Sequence, residues 1–156
     1  MQLLTDEKFL PAAIDLISDA KKSIDISTFK AEMTTKPRGK RLLELFNLII
    51  EKARLGIPVR FLISKRESYG HIPLTNLFAV RELKANGVQV RHLRNSRLCH
   101  AKTIIIDGEL AILGSHNLSI KSCHNNFEAS LAITDPYIVG QLQGFFSVAW
   151  DDARKG

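Results

Sequence analysis

At 156 residues, 45% of them hydrophobic, the chain has the length and composition of one globular domain with its own core, which excludes a disordered or low-complexity protein. Its 22 Lys and Arg against 16 Asp and Glu give a net charge of +6, which directs attention to anionic partners such as nucleic acid or acidic lipid. No apolar run approaches the ~20 residues that span a bilayer. No basic-then-apolar leader opens the sequence, so as written it reads as cytoplasmic, or as periplasmic or secreted if a leader has been removed.

Phe9, Ala12, Ala13, Leu16, Ile17 and Ala20 fall at helical spacing and predict an amphipathic helix over residues 6–22. Ile24, Ile26 and Thr28 alternate with Asp25 and Ser27, so 23–29 reads as a strand. Residues 30–41 are polar, contain Pro37 and Gly39, and predict a long basic loop. An apolar helix over 42–55 stops at Gly56, a C′ residue, and 57–64 is a near-continuous apolar strand. A loop at 65–73 leads to a helix over 74–86 that ends at Asn86-Gly87, then to a strand over 88–93.

Asp107-Gly108 separates the runs 99–106 and 110–115 and predicts a tight hairpin. Residues 127–134 form a further strand, and Asp135 with Pro136 caps a last helix that includes Phe145, Phe146 and Trp150. Strands alternating with helices, plus one hairpin, predict an α/β fold: a single domain over 1–156 with a mixed β-sheet flanked by helices on both faces.

The two cysteines, Cys99 and Cys123, are too few for a disulfide framework. Each precedes a histidine, His100 and His124, but neither pair has the ligand spacing of a zinc finger or ribbon. They read as reduced, partly buried thiols, and no metal or cofactor is expected.

The most informative run is His100-x-Lys102-x4-Asp107-x6-Gly114-Ser115-x-Asn117. Residues two apart on a strand share a face, so His100 and Lys102 point the same way, as Ser115 and Asn117 do if their strand persists. Ile104, Ile106, Ala111 and Leu113 between them read as core. Each polar residue alone has an ordinary role: a satisfied histidine, a solvated lysine, a turn aspartate, a local hydrogen bonder. Four of them converging at the rim of a buried sheet are hard to explain by packing, because unpaired buried polar groups are costly.

The same run resembles the signature of the phospholipase D superfamily, and Asn126-Phe127-Glu128 resembles that family's acidic position on the following strand. At one motif per chain, the sequence looks like the small single-motif nucleases of the superfamily, with a 30–41 loop that is long for a minimal member. The resemblance implies that His100 is the nucleophile, forming a phosphohistidine. It implies that Lys102 and Asn117 bind nonbridging phosphate oxygens, that Ser115 and Glu128 orient the imidazole, and that Asp107, though matched, is structural in its turn.

Elementary chemistry points the same way. A leaving alkoxide needs a proton, and one neutral imidazole cannot attack and donate at once, so two histidines in different protonation states are wanted. One motif per chain then implies a homodimer with both His100 side chains facing one phosphate. No metal is required by this scheme.

Basic clusters offer a path for a polyanionic backbone: Lys36, Arg38, Lys40 and Arg41; Lys65, Arg66 and His71; Arg91, Arg94 and Arg97. Tyr69 could stack on a base. With no base-reading motif, cleavage should be weakly sequence-specific. The leading expectation is a non-specific endonuclease acting on DNA, with RNA as a further candidate. The alternatives are a phospholipid phosphodiesterase of the phospholipase D or cardiolipin hydrolase type, and a noncatalytic nucleic-acid-binding module.

Overall fold

A computed structural model describes residues 1–64, 74–93 and 97–155. The predicted loop at 65–73, with Lys65, Arg66, Tyr69 and His71, and likewise Arg94, lie outside the described residues.

The strands are β1 (Gln2–Thr5), β2 (Ile24–Thr28), β3 (Val59–Ile63), β4 (Gln89–His92), β5 (Lys102–Ile106), β6 (Leu110–Gly114), β7 (Ala129–Ile133) and β8 (Arg154–Lys155). They form one mixed sheet in the order β1-β7-β6-β5-β2-β3-β4-β8. β2, β3 and β4 run parallel, and the remaining neighbours pair antiparallel. The helices are α1 (Phe9–Ser18), α2 (Lys40–Arg54), α3 (Leu74–Ala85), α4 (Ile120–His124) and α5 (Pro136–Asp152).

Alternation along the strands assigns their side chains to two cores. Ile24, Ile26, Phe61, Ile104 and Ile112 pack beneath α1, α2 and α3 with Phe9, Ile17, Leu45, Phe46 and Leu83. Leu62, Ile105, Ala111 and Ile133 pack beneath α5 with Val139, Phe146 and Trp150. On the α5 side Asp25 is buried yet fully engaged. It takes a two-pronged bond from Arg60 and a third from Gln143, while the Arg60 guanidinium lies over the Phe146 and Trp150 rings. One expected core residue departs: Leu113 stays 38% exposed, because α5 does not reach across β6 at that height.

The hairpin predicted at Asp107-Gly108 is present, with φ of 58° and 69° at the two residues, the mirror-image turn that matches strand twist. Gly56 takes φ 88° after α2, and Asp135 Oδ1 caps α5 by accepting from the Ile138 N–H. The first helix is shorter than its periodicity, since Asp6 at φ 44° breaks the chain into a 3-10 turn before Phe9. β1, α4 and β8, of four, five and two residues, are additions to the predicted elements.

This topology gathers chain ends at one edge of the layers. β2, β3 and β4 deliver their carboxyl ends there, β5 and β7 start there, and β6 ends there, the usual ligand-binding end of such sheets.

Candidate active site

His100 lies two residues before β5, exposed to solvent, with Phe29 from the end of β2 tilted against it at 5.6 Å between ring centroids. Lys102, the first residue of β5, folds back on it: Nζ donates to the His100 carbonyl at 2.6 Å and lies 3.1 Å from Nδ1. The sharing of one face by His100 and Lys102 is therefore realised. Burial lowers the Lys102 ammonium below the ordinary lysine value, partly offset by the nearby Glu128 carboxylate.

Asn117 follows β6 across a short loop, and its orientation is fixed by the segment after β2. Oδ1 accepts from the Lys30 N–H at 3.0 Å and from the Thr28 hydroxyl at 3.3 Å. That segment is itself tied down: Leu118 N–H donates to the Lys30 carbonyl, Glu32 N–H donates to the Leu118 carbonyl, and buried Asn76 of α3 clamps Phe29 O and the Ala31 N–H. With its acceptor end committed, Asn117 keeps the Nδ2 donors for another group; the described residues give Nδ2 no partner.

Ser115 does not share a strand face with Asn117, because β6 ends at Gly114. Its hydroxyl instead bridges to β7, accepting from the Ala129 N–H at 3.1 Å and lying 3.3 Å from the Ala129 carbonyl. Gly114 is required by the close approach of the two strands: a Cβ there would overlap Ser130 and the Ala129 carbonyl.

Glu128 is half-buried beside β7, with Oε1 accepting from the Ser122 hydroxyl at 2.9 Å and from Asn126 at 3.0 Å. Burial would raise this carboxyl, but hydrogen bonds from Ser115, Asn126 and Ser122 hold it below the ordinary glutamate value. Glu128 is thus an anion at the rim, bonded to Ser122 and Asn126 rather than to an imidazole.

Asp107 is not brought to this cleft. It lies at the opposite end of β5, roughly 20 Å away along seven extended residues. There its carboxylate accepts from the backbone N–H groups of Lys21, Lys22 and Ser23. Among the basic residues, Arg97 shares a cavity wall with His100, and Lys36 and Arg38 are exposed in the connection between β2 and α2. Lys40 lines the groove between α1 and α2 instead.

Three contributors carry no pattern strong enough to be picked from the sequence. His116, inside the motif, is buried with its ring stacked on Phe9 at 4.3 Å. Its Nε2–H donates to the Asp6 carbonyl and Nδ1 accepts from Ser130, and burial lowers its pKa, so the ring is neutral. Asp6 holds Glu128 at both ends of its peptide, accepting from its N–H and donating to its carbonyl. Asn76 sits in the first turn of α3, where asparagine has no distinctive signal. Cys99 and Cys123 are buried, their thiols pushed up to about 11 and about 12 by desolvation, which leaves them unreactive near neutral pH. Among the described residues no three His, Cys, Asp or Glu side chains group as a metal site would.

A family model described as "Cardiolipin synthase, PLD-like domain" matches residues 13–150, which includes His100, Lys102, Ser115, Asn117 and Glu128. The chain belongs to the phospholipase D superfamily. Cardiolipin synthase A of Shigella dysenteriae is 30% identical over 121 residues, 78% of this chain but 25% of the relative, so the chain spans about a quarter of the curated relatives it matches. Among solved structures, Nuc of Salmonella typhimurium, described as a phospholipase D family member, superposes with a TM-score of 0.81 at 18% identity, covering 99% of this chain and 97% of that one. NucT of Helicobacter pylori gives a TM-score of 0.77 at 18% identity over 99% and 98% of the two chains. These likenesses establish the phospholipase D-like fold, with its mixed sheet and helices on both faces. No helix of the described residues is long and apolar enough to cross a membrane.

Proposed function

We propose that this phospholipase D-like domain is a metal-independent phosphodiesterase that cuts nucleic acid. DNA is its main substrate and RNA a further candidate, and it works through a covalent phosphohistidine in a site shared by two copies. The observation that carries the reading is the pairing of His100 with Lys102 at 3.1 Å beside an Asn117 amide whose donor end is kept free by Lys30 and Thr28.

The chemistry follows from donors and acceptors. A charged ammonium only donates, so in the resting site Nδ1 accepts from Lys102, and a neutral His100 ring has its proton on Nε2. An arriving phosphodiester offers its nonbridging oxygens to Lys102 Nζ and Asn117 Nδ2, which draws Lys102 off the ring and lets the proton return to Nδ1 through water. Nε2 then attacks: the N–P bond forms as the bond to the leaving oxygen breaks, and the alkoxide takes a proton from the protonated His100 of the second copy. That imidazole, now neutral, removes a proton from water. The hydroxide forms a new O–P bond as the N–P bond breaks, releasing the phosphomonoester. Lys102 and Asn117 from both copies stabilise charge on the phosphoryl oxygens throughout.

Nucleic acid is favoured over lipid by the +6 charge and by the exposed Lys36, Arg38 and Arg97 on the chain segments that border the cleft. The second reading, a phospholipid phosphodiesterase, is favoured by the sequence match to cardiolipin synthase A. The deciding assay is cleavage of plasmid and single-stranded DNA in excess EDTA, with His100→Ala beside the wild type and phospholipid vesicles as competing substrate. Chelator-resistant cutting lost in His100→Ala is the expected result. Lipid turnover without DNA cutting would select the second reading, and DNA binding equal in both proteins with no turnover of either substrate would leave a noncatalytic module. Cutting abolished by EDTA would overturn the metal-free mechanism.

A further inference from the structure

His100 stands outside the hydrogen-bonded ladder that fixes β5. The register of β5 with β2 runs from Ser27↔Thr103 to Ile24↔Ile106, and residues 99–101 precede the strand. Two serines do for this segment what a ladder does elsewhere. Ser64, which follows β3 and is buried, accepts from the Cys99 N–H at 2.9 Å and donates to the Cys99 carbonyl at 3.2 Å. A single hydroxyl thus serves both polar groups of the residue before the nucleophile, as a partner strand would. On the other side, Ser27 Oγ accepts from the Thr103 hydroxyl at 2.7 Å and donates to the Ala101 carbonyl at 3.1 Å. Cys99 itself is packed in the α5-side core with Leu62, and its thiol reaches the Leu62 carbonyl at 3.6 Å. His100 is exposed between these two held residues, so its imidazole is aimed by the backbone it stands on.

We infer that Ser64 is a positioning residue for the nucleophile: through the Cys99 backbone, its hydroxyl sets where the His100 imidazole meets phosphorus. The role rests on the phosphohistidine reading of His100 and is the same for a nucleic acid or a lipid phosphodiester. A buried N–H and carbonyl that lose their partner draw the chain toward other partners. Without the Ser64 hydroxyl, residues 99–101 therefore shift, and the imidazole moves with them. The phosphate donors do not depend on that hydroxyl. Lys102 is the first residue of β5 and pairs with Gly114, and Asn117 is held by Lys30 and Thr28. Loss of the hydroxyl thus misaligns the attack and leaves phosphate binding in place. Displacing a reacting group by about 1 Å costs roughly 10²-fold in rate.

The test separates turnover from binding, on whichever of single-stranded DNA and phosphatidylglycerol vesicles the wild type turns over. Ser64→Ala is expected to lower kcat about 10²-fold with KM near that of wild type, and Ser64→Thr, which keeps the hydroxyl, to recover most of the loss. Equilibrium binding of the same substrate is compared between His100→Ala and a double variant that adds Ser64→Ala. Equal affinities are expected, because Ser64 acts only through the imidazole. Ile49→Val, a truncation in the core on the opposite face of the sheet, gives the level of a purely structural loss: a lower melt with kcat unchanged. If Ser64→Ala melts below the assay temperature, Ser64→Thr is set against Ser64→Val; the two share one shape, and the hydroxyl alone keeps threonine at least roughly tenfold faster. A folded Ser64→Ala with wild-type kcat, or a valine variant as fast as the threonine one, overturns the role and leaves the phosphohistidine reading standing. Weaker binding by the double variant than by His100→Ala also overturns it, since the hydroxyl would then support the whole cleft. A wild type that turns over neither substrate, or a His100→Ala that keeps its turnover, removes the reading and the role together.

Discussion

Asn117 is the residue at which folding and chemistry can be separated by a single atom. Its Oδ1 holds the Lys30 N–H and the Thr28 hydroxyl, and an aspartate would offer those donors the same oxygen. What aspartate lacks is the Nδ2 donor, replaced by a second acceptor that repels phosphate. Asn117→Asp is therefore expected to melt within a few degrees of the wild type. Its kcat/KM falls by about 10²–10³, the effect of removing one donor from developing oxyanion charge. Thermal melts beside steady-state cleavage check both halves, and a variant that keeps its activity would remove Asn117 from the phosphate site. Gly114 acts by the opposite logic, through space rather than hydrogen bonds. Any Cβ there would overlap Ser130 and the Ala129 carbonyl, driving β6 away from β7 and shifting Ser115.

At the scale of elements, the β5–β6 hairpin is anchored far from the chemistry. Asp107 gathers the N–H groups of Lys21, Lys22 and Ser23 into its carboxylate, tying the hairpin turn to the chain that enters β2. Burial alone would raise its pKa, but these backbone donors and Lys22 hold it below the ordinary aspartate value. A carboxyl depressed in the folded state stabilises the fold above its unfolded pKa of about 3.9, and that contribution is lost as pH falls through the folded value. Asp107→Ala loses the bonds and places alanine at φ 58°, for a cost of about 2–3 kcal/mol at pH 7. Denaturant melts at pH 7 and pH 3 should show that gap narrowing in acid, while turnover of the folded variant at pH 7 stays near wild type. An equal gap at both pH values would refute the carboxylate's role.

The same comparison explains what could be read in advance. The hairpin, Gly56, the Asp135 cap and the His100–Lys102 pairing follow from local spacing, because turns, caps and strand alternation act over a few residues. β1 and β8 were not legible, since strands of four and two residues owe their existence to pairing with β7 and β4 from the far ends of the chain. The roles of His116, Asp6 and Asn76 are likewise non-local: each supports a segment at least 40 residues away or across the sheet edge. Leu113 was misread as core because alternation says which face a residue takes, not whether a helix covers it there.

For the whole molecule, the question is how one chain supplies both an attacking base and a donating acid. His116 cannot be the acid, since it is buried and both ring nitrogens are engaged by Asp6 and Ser130. Glu128 is held ionised and the proposed mechanism commits Lys102 to the phosphate, which leaves His100 as the motif's side chain for both roles. The proposed mechanism therefore needs His100 from two chains in one site, and mixing makes that need measurable. When wild type is unfolded and refolded with an equal amount of His100→Ala, random pairing leaves about a quarter of the pairs with two intact imidazoles. Activity per wild-type chain should then fall to about half that of wild type refolded alone, with the same loss of linearity as the enzyme is diluted below the dimer's dissociation constant. A chain that acts by itself would keep full activity per wild-type chain in the mixture and would cut in proportion to concentration at every dilution. That result would place the second proton donor within a single copy and end the shared-site proposal.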